Sequence, residues 1–165
     1  MGAADGFIGA TTKIVDHGPN GDRWNLVILG DGYRASENPQ YHADVQKFVD
    51  TLHTTPPFDE LWAGINIHQI DVTSTDSGAD DPATCPDPFA PVGSGATPNT
   101  FFDATFCSAR PGGVRLARLL TVDSTRAQGA ASQRVNEVHQ ALVIVNSSKY
   151  GGSGGSDAIC STEAS

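Results

Sequence analysis

The most constraining feature of the chain is a buried strand, an amphipathic helix and a second strand in direct succession. Residues 24–29 carry a continuous apolar run, which predicts a strand buried on both faces. Apolar residues recur at helical spacing over 41–52, and the proline pair at 56–57 ends that pattern. Residues 65–72 alternate in part and predict the second strand. The succession is a βαβ unit, whose strands should be parallel and whose crossover should be right-handed.

The predicted helix has a clear start and one apolar face. Ser36 is suited to cap its N-terminus, and Pro39 falls early enough in the helix to be tolerated. The apolar residues are spaced at i, i+4, i+7, i+8 and i+11, so they share one side of the helix. They are Tyr41, Val45, Phe48, Val49 and Leu52. This face should pack against the sheet.

Shorter patterns predict the remaining elements. We expect a strand at 13–15 joined to the first buried strand by a hairpin, since the intervening residues are typical of turns. We also expect a short helix at 114–120 and a helix within 128–140. Residues 142–145 predict a third buried strand and 157–161 an edge strand. The fold class is therefore α/β, with a small mixed β-sheet, a βαβ unit and flanking helices.

Length and charge limit the organisation and the partners. The 165 residues suit a single domain, which we place at 11–165 after an N-terminal extension at 1–10. A net charge of −9 argues against binding to nucleic acid or to an anionic membrane, because both would be repelled. No apolar run approaches the roughly 20 residues that a membrane helix requires.

The cysteines suggest an exported protein. Cys85 and Cys107 bracket a stretch rich in Pro, Gly and Ser, where a disulfide would close a long loop. The alternative is a pair of buried thiols in a cytosolic chain. Cys160 is left without a partner. Because lysines are few and the polar loops are long, we expect a secreted or extracellular protein, although the first ten residues lack the pattern of a signal peptide.

One single carboxylate and one cluster of three carboxylates are candidate functional residues. Asp31 follows the end of the first buried strand, where open α/β sheets collect functional side chains, but it could equally be a turn aspartate that binds nearby backbone amides. Asp76, Asp80 and Asp81 lie within six residues of loop. They could bind calcium, although the spacing of an EF-hand is missing and a solvated turn is the alternative.

Other catalytic patterns are weak or absent. The five histidines include no i, i+4 pair, and the sequence has no H-E-x-x-H, so the chain has no helical zinc site. Residues 151–155 match G-x-S-x-G around Ser153, but no helix has room to follow and no histidine comes after it, so a serine hydrolase is the least favoured hypothesis. The glycines instead favour close approach by another chain.

Several segments, taken together and in order, resemble the front half of the IgA-peptidase family of zinc metallopeptidases. The resemblance runs from about Thr11 to the last residue. The segments that carry it are 12–20 (TKIVDHGPN), 27–33 (VILGDGY), 42–45 (HADV) with 48–49, 80–82 (DDP), 103–107 (DATFC), 118–120 (RLL) and 145–154 (VNSSKYGGSG).

The resemblance implies a zincin-like catalytic domain, of which this chain is the N-terminal subdomain. In that fold an edge strand lies above the cleft, a helix bearing H-E-x-x-H binds zinc below it, and the glutamate acts as general base. This chain stops at Ser165, before that helix, so neither a metal ligand nor a catalytic residue is carried over, and we expect no catalytic zinc on this chain alone. Residues 150–161 correspond to the stretch leading into the edge strand. Its glycines are expected to bind a substrate backbone as an added strand: Gly151, Gly152, Gly154 and Gly155.

The function that this resemblance implies is the N-terminal portion of a secreted zinc endopeptidase domain, inactive by itself. Its partners would be a protein or peptide substrate and the missing C-terminal half or another chain, which could also hold a partner for Cys160. The alternative is a non-catalytic binding or adhesion module on the same α/β scaffold.

Overall fold

A computed structural model describes residues 5–87, 92–155 and 157–162, and its centre is a six-stranded mixed sheet. The strand order is β1-β3-β2-β4-β6-β5, in which the four inner strands are parallel and the two outer ones antiparallel to their neighbours. The predicted α/β class with a small mixed sheet is thus confirmed. The strands are β1 (Gly6–Val15), β2 (Trp24–Asp31), β3 (Ile65–Ser74), β4 (Gln140–Val145), β5 (Gly152–Ser153) and β6 (Asp157–Ser161).

The predicted βαβ unit is present. β2 and β3 are parallel neighbours, with Leu26 opposite Ile67, and helix α1 (Asn38–His53) connects them. The helix begins later than predicted because residues 35–37 form a 3-10 turn, in which the Glu37 carboxylate accepts the Arg34 N–H at 2.8 Å. Ser36 is therefore not its cap, although the predicted apolar face is correct.

Residues on that face of α1 are largely buried against one side of the sheet. Tyr41 spans two strands, since its hydroxyl lies 3.1 Å from the Ile28 carbonyl and 2.9 Å from the Ile70 carbonyl. Side chains alternate between the two sheet faces, so neighbouring strand residues contribute to different cores. The α1 side contains Leu26, Ile28, Ile65, Ile67, Leu142 and Ile144 with Tyr33, Tyr41, Val45 and Val49.

The opposite side of the sheet is covered by helix α2 (Ser124–Arg134) and by the long connection that precedes it. Phe102, Phe106 and Leu120 from that connection are almost completely buried there. Small residues on α2 allow the helix to lie close to the sheet. Among the described residues, no helix is both long and apolar enough to cross a membrane.

The predicted hairpin between the first two strands is wrong. β1 pairs with β3 and not with β2, because both sides of β2 are taken by the parallel strands β3 and β4. The more polar, partly exposed β1 lies at the edge of the sheet. It begins at Gly6, so residues 6–8, which we assigned to an extension, pair with β3, and a register shift follows before Thr11.

Two helix predictions also need correction. Residues 114–120 form no α-helix but an irregular arm with a turn at 117–118, because the turn at 111–113 reverses the chain and lets the Cys107 N–H donate to the Ala117 carbonyl at 3.3 Å. Helix α2 starts at Ser124, earlier than the predicted 128. Asp123 caps it, because its carboxylate accepts the Arg126 N–H at 3.0 Å. It ends at Arg134, and Gln140 already belongs to β4.

Candidate functional site

Asp31 lies at the carboxyl end of β2 and is completely buried. Its two oxygens accept hydrogen bonds from the Thr100 hydroxyl at 2.8 Å, from the Phe102 and Ala104 N–H groups at 2.8 and 3.0 Å, and from the Ser74 hydroxyl at 3.2 Å. Burial raises the pKa of Asp31, while these donors oppose the shift. The carboxylate therefore anchors residues 100–104 to the sheet and has no path to a substrate.

The three loop carboxylates bind different partners. Asp76 accepts the backbone and side-chain N–H groups of Asn99 at 2.9 and 3.0 Å, and Asp81 pairs with Lys149 and accepts the Ser94 N–H at 2.7 Å. Burial and the nearby Asp103 raise the pKa of Asp80. Among the described residues, no three His, Cys, Asp or Glu side chains form a group that could hold a metal ion. The calcium site predicted at Asp76, Asp80 and Asp81 is therefore not assembled.

The histidines on α1 and β3 do not converge on a common point. His42 lies 2.8 Å from the Asp71 carboxylate at the surface, and His53 stacks on Trp62 with ring centroids 4.3 Å apart. His68 is buried in β3, and this burial lowers its pKa. The described part of the chain therefore does not fit a catalytic zinc ion.

The predicted disulfide between Cys85 and Cys107 is confirmed, with Cα atoms 5.8 Å apart. It ties the long connection to itself on the α2 side of the sheet. Cys160 is a free, half-buried thiol on β6, and burial raises its pKa to about 11. A thiol with so high a pKa is a poor nucleophile at neutral pH.

The glycine-rich segment divides into a packed part and an exposed part. A Cβ on Gly151 would lie 2.5 Å from Phe106 Cε1 and 2.7 Å from the Arg118 carbonyl oxygen, and one on Gly152 would lie 2.6 Å from the Ile159 carbonyl oxygen. These neighbours belong to the same chain, so the close approach we expected from another chain is intramolecular at Gly151 and Gly152. Gly154 and Gly155 are exposed, and neither would bring a Cβ within 4 Å of other atoms.

The prediction that residues 157–161 form an edge strand is wrong, because β6 lies between β4 and β5. The outer side of β5 is partly covered as well. The Gly152 N–H donates to the Arg118 carbonyl at 3.1 Å, and the Ser153 hydroxyl donates to the Leu120 carbonyl at 2.6 Å. This second contact occupies the hydroxyl that a serine hydrolase would require as its nucleophile.

A polar cleft of about 500 Å³ lies at the carboxyl ends of β2 and β4, the position where open α/β sheets bind ligands. Its polar groups bind one another. The Asn146 side chain accepts from the Gln40 amide at 3.1 Å and donates to the Gly32 carbonyl at 3.0 Å, and Lys149 is paired with Asp81. The cleft therefore leaves few polar groups that require a ligand.

An apolar groove runs along the α1 side of the sheet and consists of two adjoining clefts of about 400 and 290 Å³. Trp24 and Phe58 line both clefts, and Leu61 at the rim is 60% exposed. The other lining residues come from α1, the strands and the connection after α1: Leu26, Phe48, Leu52, Gly64, Ile65, Gln140, Leu142 and Ala158. We call this feature the apolar groove.

Part of the apolar groove lies beside α1. α1 lies over β3 and β2, whereas Leu142 of β4 and Ala158 of β6 line the groove beside it. Leu142 is 3% exposed and Ala158 is half-buried, so the apolar surface that the groove leaves open is mainly that of Trp24 and Leu61.

Comparison with known proteins identifies the family. A sequence model of the family IgA Peptidase M64 matches residues 12–164. The chain therefore belongs to the IgA peptidase M64 family, a family of zinc metallopeptidases. No curated protein matches the chain.

Proposed function

We propose that this chain is the N-terminal portion of a secreted zinc endopeptidase domain that is completed by a zinc-binding helix outside these residues. Family membership supports peptide-bond hydrolysis as the chemistry. The described residues contain no group of side chains that could hold the metal, and in this proposal the completing segment supplies the zinc ligands and the general base. The disulfide supports an oxidising, extracellular location.

The observation that carries the proposal is the apolar groove beside α1. Sheets in α/β domains bury their faces under helices, since exposed apolar surface is unfavourable in water. Trp24 is 36% exposed and Leu61 60% exposed, so part of this face lacks such cover. A helix that docks there would contact β6 through Ala158, and β6 pairs with β5. We propose that this helix is the zinc helix of a zincin-like domain.

This chain would contribute to peptide binding by holding the peptide in position. The glycine segment 151–155 runs through β5, and its packed half holds that strand against β6 and Phe106. The exposed Gly154 and Gly155 remain available to a peptide backbone, because they have no side chains and no close neighbours. Holding a peptide at a fixed position lowers the entropic part of the reaction barrier.

Zinc analysis and a groove substitution test the proposal together. The purified chain should contain far less than one zinc ion per molecule and should show no hydrolysis that a chelator abolishes. Addition of the segment encoded downstream should produce both stoichiometric zinc and chelator-sensitive hydrolysis. Trp24→Ser should weaken that restoration, and Val92→Ser, at an exposed site outside the groove, should not. Stoichiometric zinc on residues 1–165 alone would contradict the proposal.

The non-catalytic binding or adhesion module makes a different prediction in the same experiment. It requires no downstream H-E-x-x-H segment, and any protein bound in the apolar groove would leave zinc content and hydrolysis unchanged. A stop codon directly after Ser165 in the gene would favour that module.

A further inference from the structure

One segment of this acidic chain is exclusively basic. Residues 104–122 contain Arg110, Arg115 and Arg118 but no Asp or Glu, although the whole chain has 19 Asp+Glu against 10 Lys+Arg. Residues 138–156 also lack Asp and Glu, but they contain a single Lys or Arg, Lys149. The local charge of this segment is therefore opposite to that of the molecule.

The basic segment folds as a hairpin. Thr105 and Thr121 exchange two backbone hydrogen bonds of 2.8 and 3.0 Å, and Ala109 is bridged to Arg115 further along. At the tip, the Arg110 N–H donates to the Val114 carbonyl at 2.8 Å. We call residues 105–121 the arginine hairpin. The disulfide at Cys107 connects its first arm to the preceding loop.

The three arginines of the hairpin are exposed, and within the described ranges none of them forms an ion pair. Arg115 donates to the Cys107 carbonyl at 2.9 Å, which fixes the direction of its side chain but does not neutralise it. One carboxylate lies against the hairpin, since Asp87 accepts the Ala117 N–H at 3.1 Å. Three arginines and one carboxylate still leave the local potential positive. This potential would attract an acidic group and repel a basic one.

The arginine hairpin lies directly beside β5. Arg118 contributes the carbonyl that accepts the Gly152 N–H at 3.1 Å, and Leu119 forms a parallel bridge with Gly152. An exposed apolar side chain lies on each of the two elements: Val114 at the hairpin tip is 61% exposed, and Tyr150 just before β5 is 60% exposed. A polypeptide that approaches β5 would therefore meet the arginines.

We propose that the arginine hairpin binds an acidic segment of a polypeptide that lies alongside β5. The identity of that polypeptide as a substrate rests on the proposed peptidase function, but the binding itself does not. A short acidic segment fits better than a long polyanion, because a nucleic acid or an anionic membrane would extend over the surrounding surface of a molecule with a net charge of −9. Exposed guanidinium groups can bind carboxylates with two parallel hydrogen bonds.

Fluorescence anisotropy with the complete chain tests this proposal. The probe is a labelled peptide rich in Asp and Glu, and its reference is the same peptide with Asn and Gln at those positions. The double variant Arg110→Gln/Arg118→Gln removes two exposed side chains that make no hydrogen bond with described residues. The matched control, Lys47→Gln/Arg134→Gln, changes the net charge equally on α1 and α2.

The acidic peptide should bind about fivefold more tightly than its amide counterpart, and the hairpin variant should remove about that factor. Added salt should weaken the binding of the acidic peptide but not that of the amide peptide. Equal binding of both peptides, no binding, an equal loss in the control variant, or tighter binding of duplex DNA or anionic vesicles would each overturn the proposal. Because zinc content and hydrolysis are not read in this assay, its failure is distinguishable from failure of the peptidase proposal.

Discussion

The carboxylate of Asp31 accepts a hydrogen bond from the Thr100 hydroxyl at 2.8 Å, which joins the end of β2 to a residue 69 positions further along the chain. The same carboxylate accepts the N–H groups of Phe102 and Ala104. One buried side chain thus holds the long connection over the sheet. The residues just after Thr100 supply the buried aromatic side chains of the α2-side core: Phe101, Phe102 and Phe106.

Asp31→Asn should lower the free energy of unfolding by about 3 kcal/mol, because an amide nitrogen would face donors that now bind a carboxylate oxygen. Urea denaturation followed by circular dichroism measures this change. Asp22→Asn is a matched control at an exposed carboxylate and should change stability by no more than about 0.5 kcal/mol. Equal stability of the two variants would show that Asp31 does not anchor the connection.

Gly151→Ala should lower the free energy of unfolding by about 2 kcal/mol, since the new Cβ would overlap Phe106 and the Arg118 carbonyl. The control is Gly154→Ala, which has nothing within 4 Å and should be close to neutral. Thermal unfolding of both variants tests the difference. A neutral Gly151→Ala would mean that residues 118–120 do not lie against β5.

The double variant Cys85→Ser/Cys107→Ser should lose about 3 kcal/mol of stability, because the disulfide restricts the unfolded chain across a separation of 22 residues. Cys160→Ser, which removes the free thiol, should lose much less. Denaturation of the oxidised proteins compares the two. Reducing agent should destabilise the wild-type chain and leave the double variant unchanged; a similar response of both would contradict the assignment.

The ion pair between Lys149 and Asp81 should make stability depend on pH in the acidic range. Burial acts to raise the pKa of Asp81, but the hydrogen bonds from Lys149 and from Ser94 outweigh it and hold the pKa below its usual value. A lowered pKa in the folded state contributes stability above the usual pKa of about 4, and that contribution is lost as the pH falls through the folded-state value.

Lys149→Met should therefore cost about 1 kcal/mol at neutral pH, and the difference from wild type should disappear as the pH falls below that lowered pKa. Denaturation curves at a series of pH values measure the difference. Lys47→Met, on the exposed side of α1, should show no comparable dependence. A constant difference for Lys149→Met at all pH values would indicate that packing on Phe106 and not charge is lost.

The elements that sequence periodicity predicts well are those with one long apolar pattern. β2, the buried face of α1 and β4 all belong to this group, as each has a pattern that depends on neighbouring residues alone. The strands predicted at 13–15 and 157–161 are present, but their predicted pairing is wrong, and the helix predicted at 114–120 is absent. Residues 13–15 pair with the distant β3, whereas residues 114–120 and 157–161 pair with segments nearby in the sequence. In all three cases the pairing depends on backbone hydrogen bonds, which a side-chain pattern does not show.

The same contrast applies to the candidate sites. The order of short motifs from residue 12 onwards was sufficient to identify the family, which the family match confirms. The role of Asp31 was not predictable, because its four donors come from residues 74–104. The arginine hairpin was missed, although the absence of Asp and Glu over 104–122 was visible in the sequence.

The sequence by itself determined the family, the strand–helix–strand nucleus and the cysteines able to form a disulfide, since all three depend on residue type and local spacing. Only the tertiary structure decided which strands are neighbours, that β5 is flanked by Arg118 and Leu119, and that Trp24, Leu142 and Ala158 line a common groove beside α1. These features depend on hydrogen bonds and apolar contacts between distant segments, which form only where the folded chain brings the segments together.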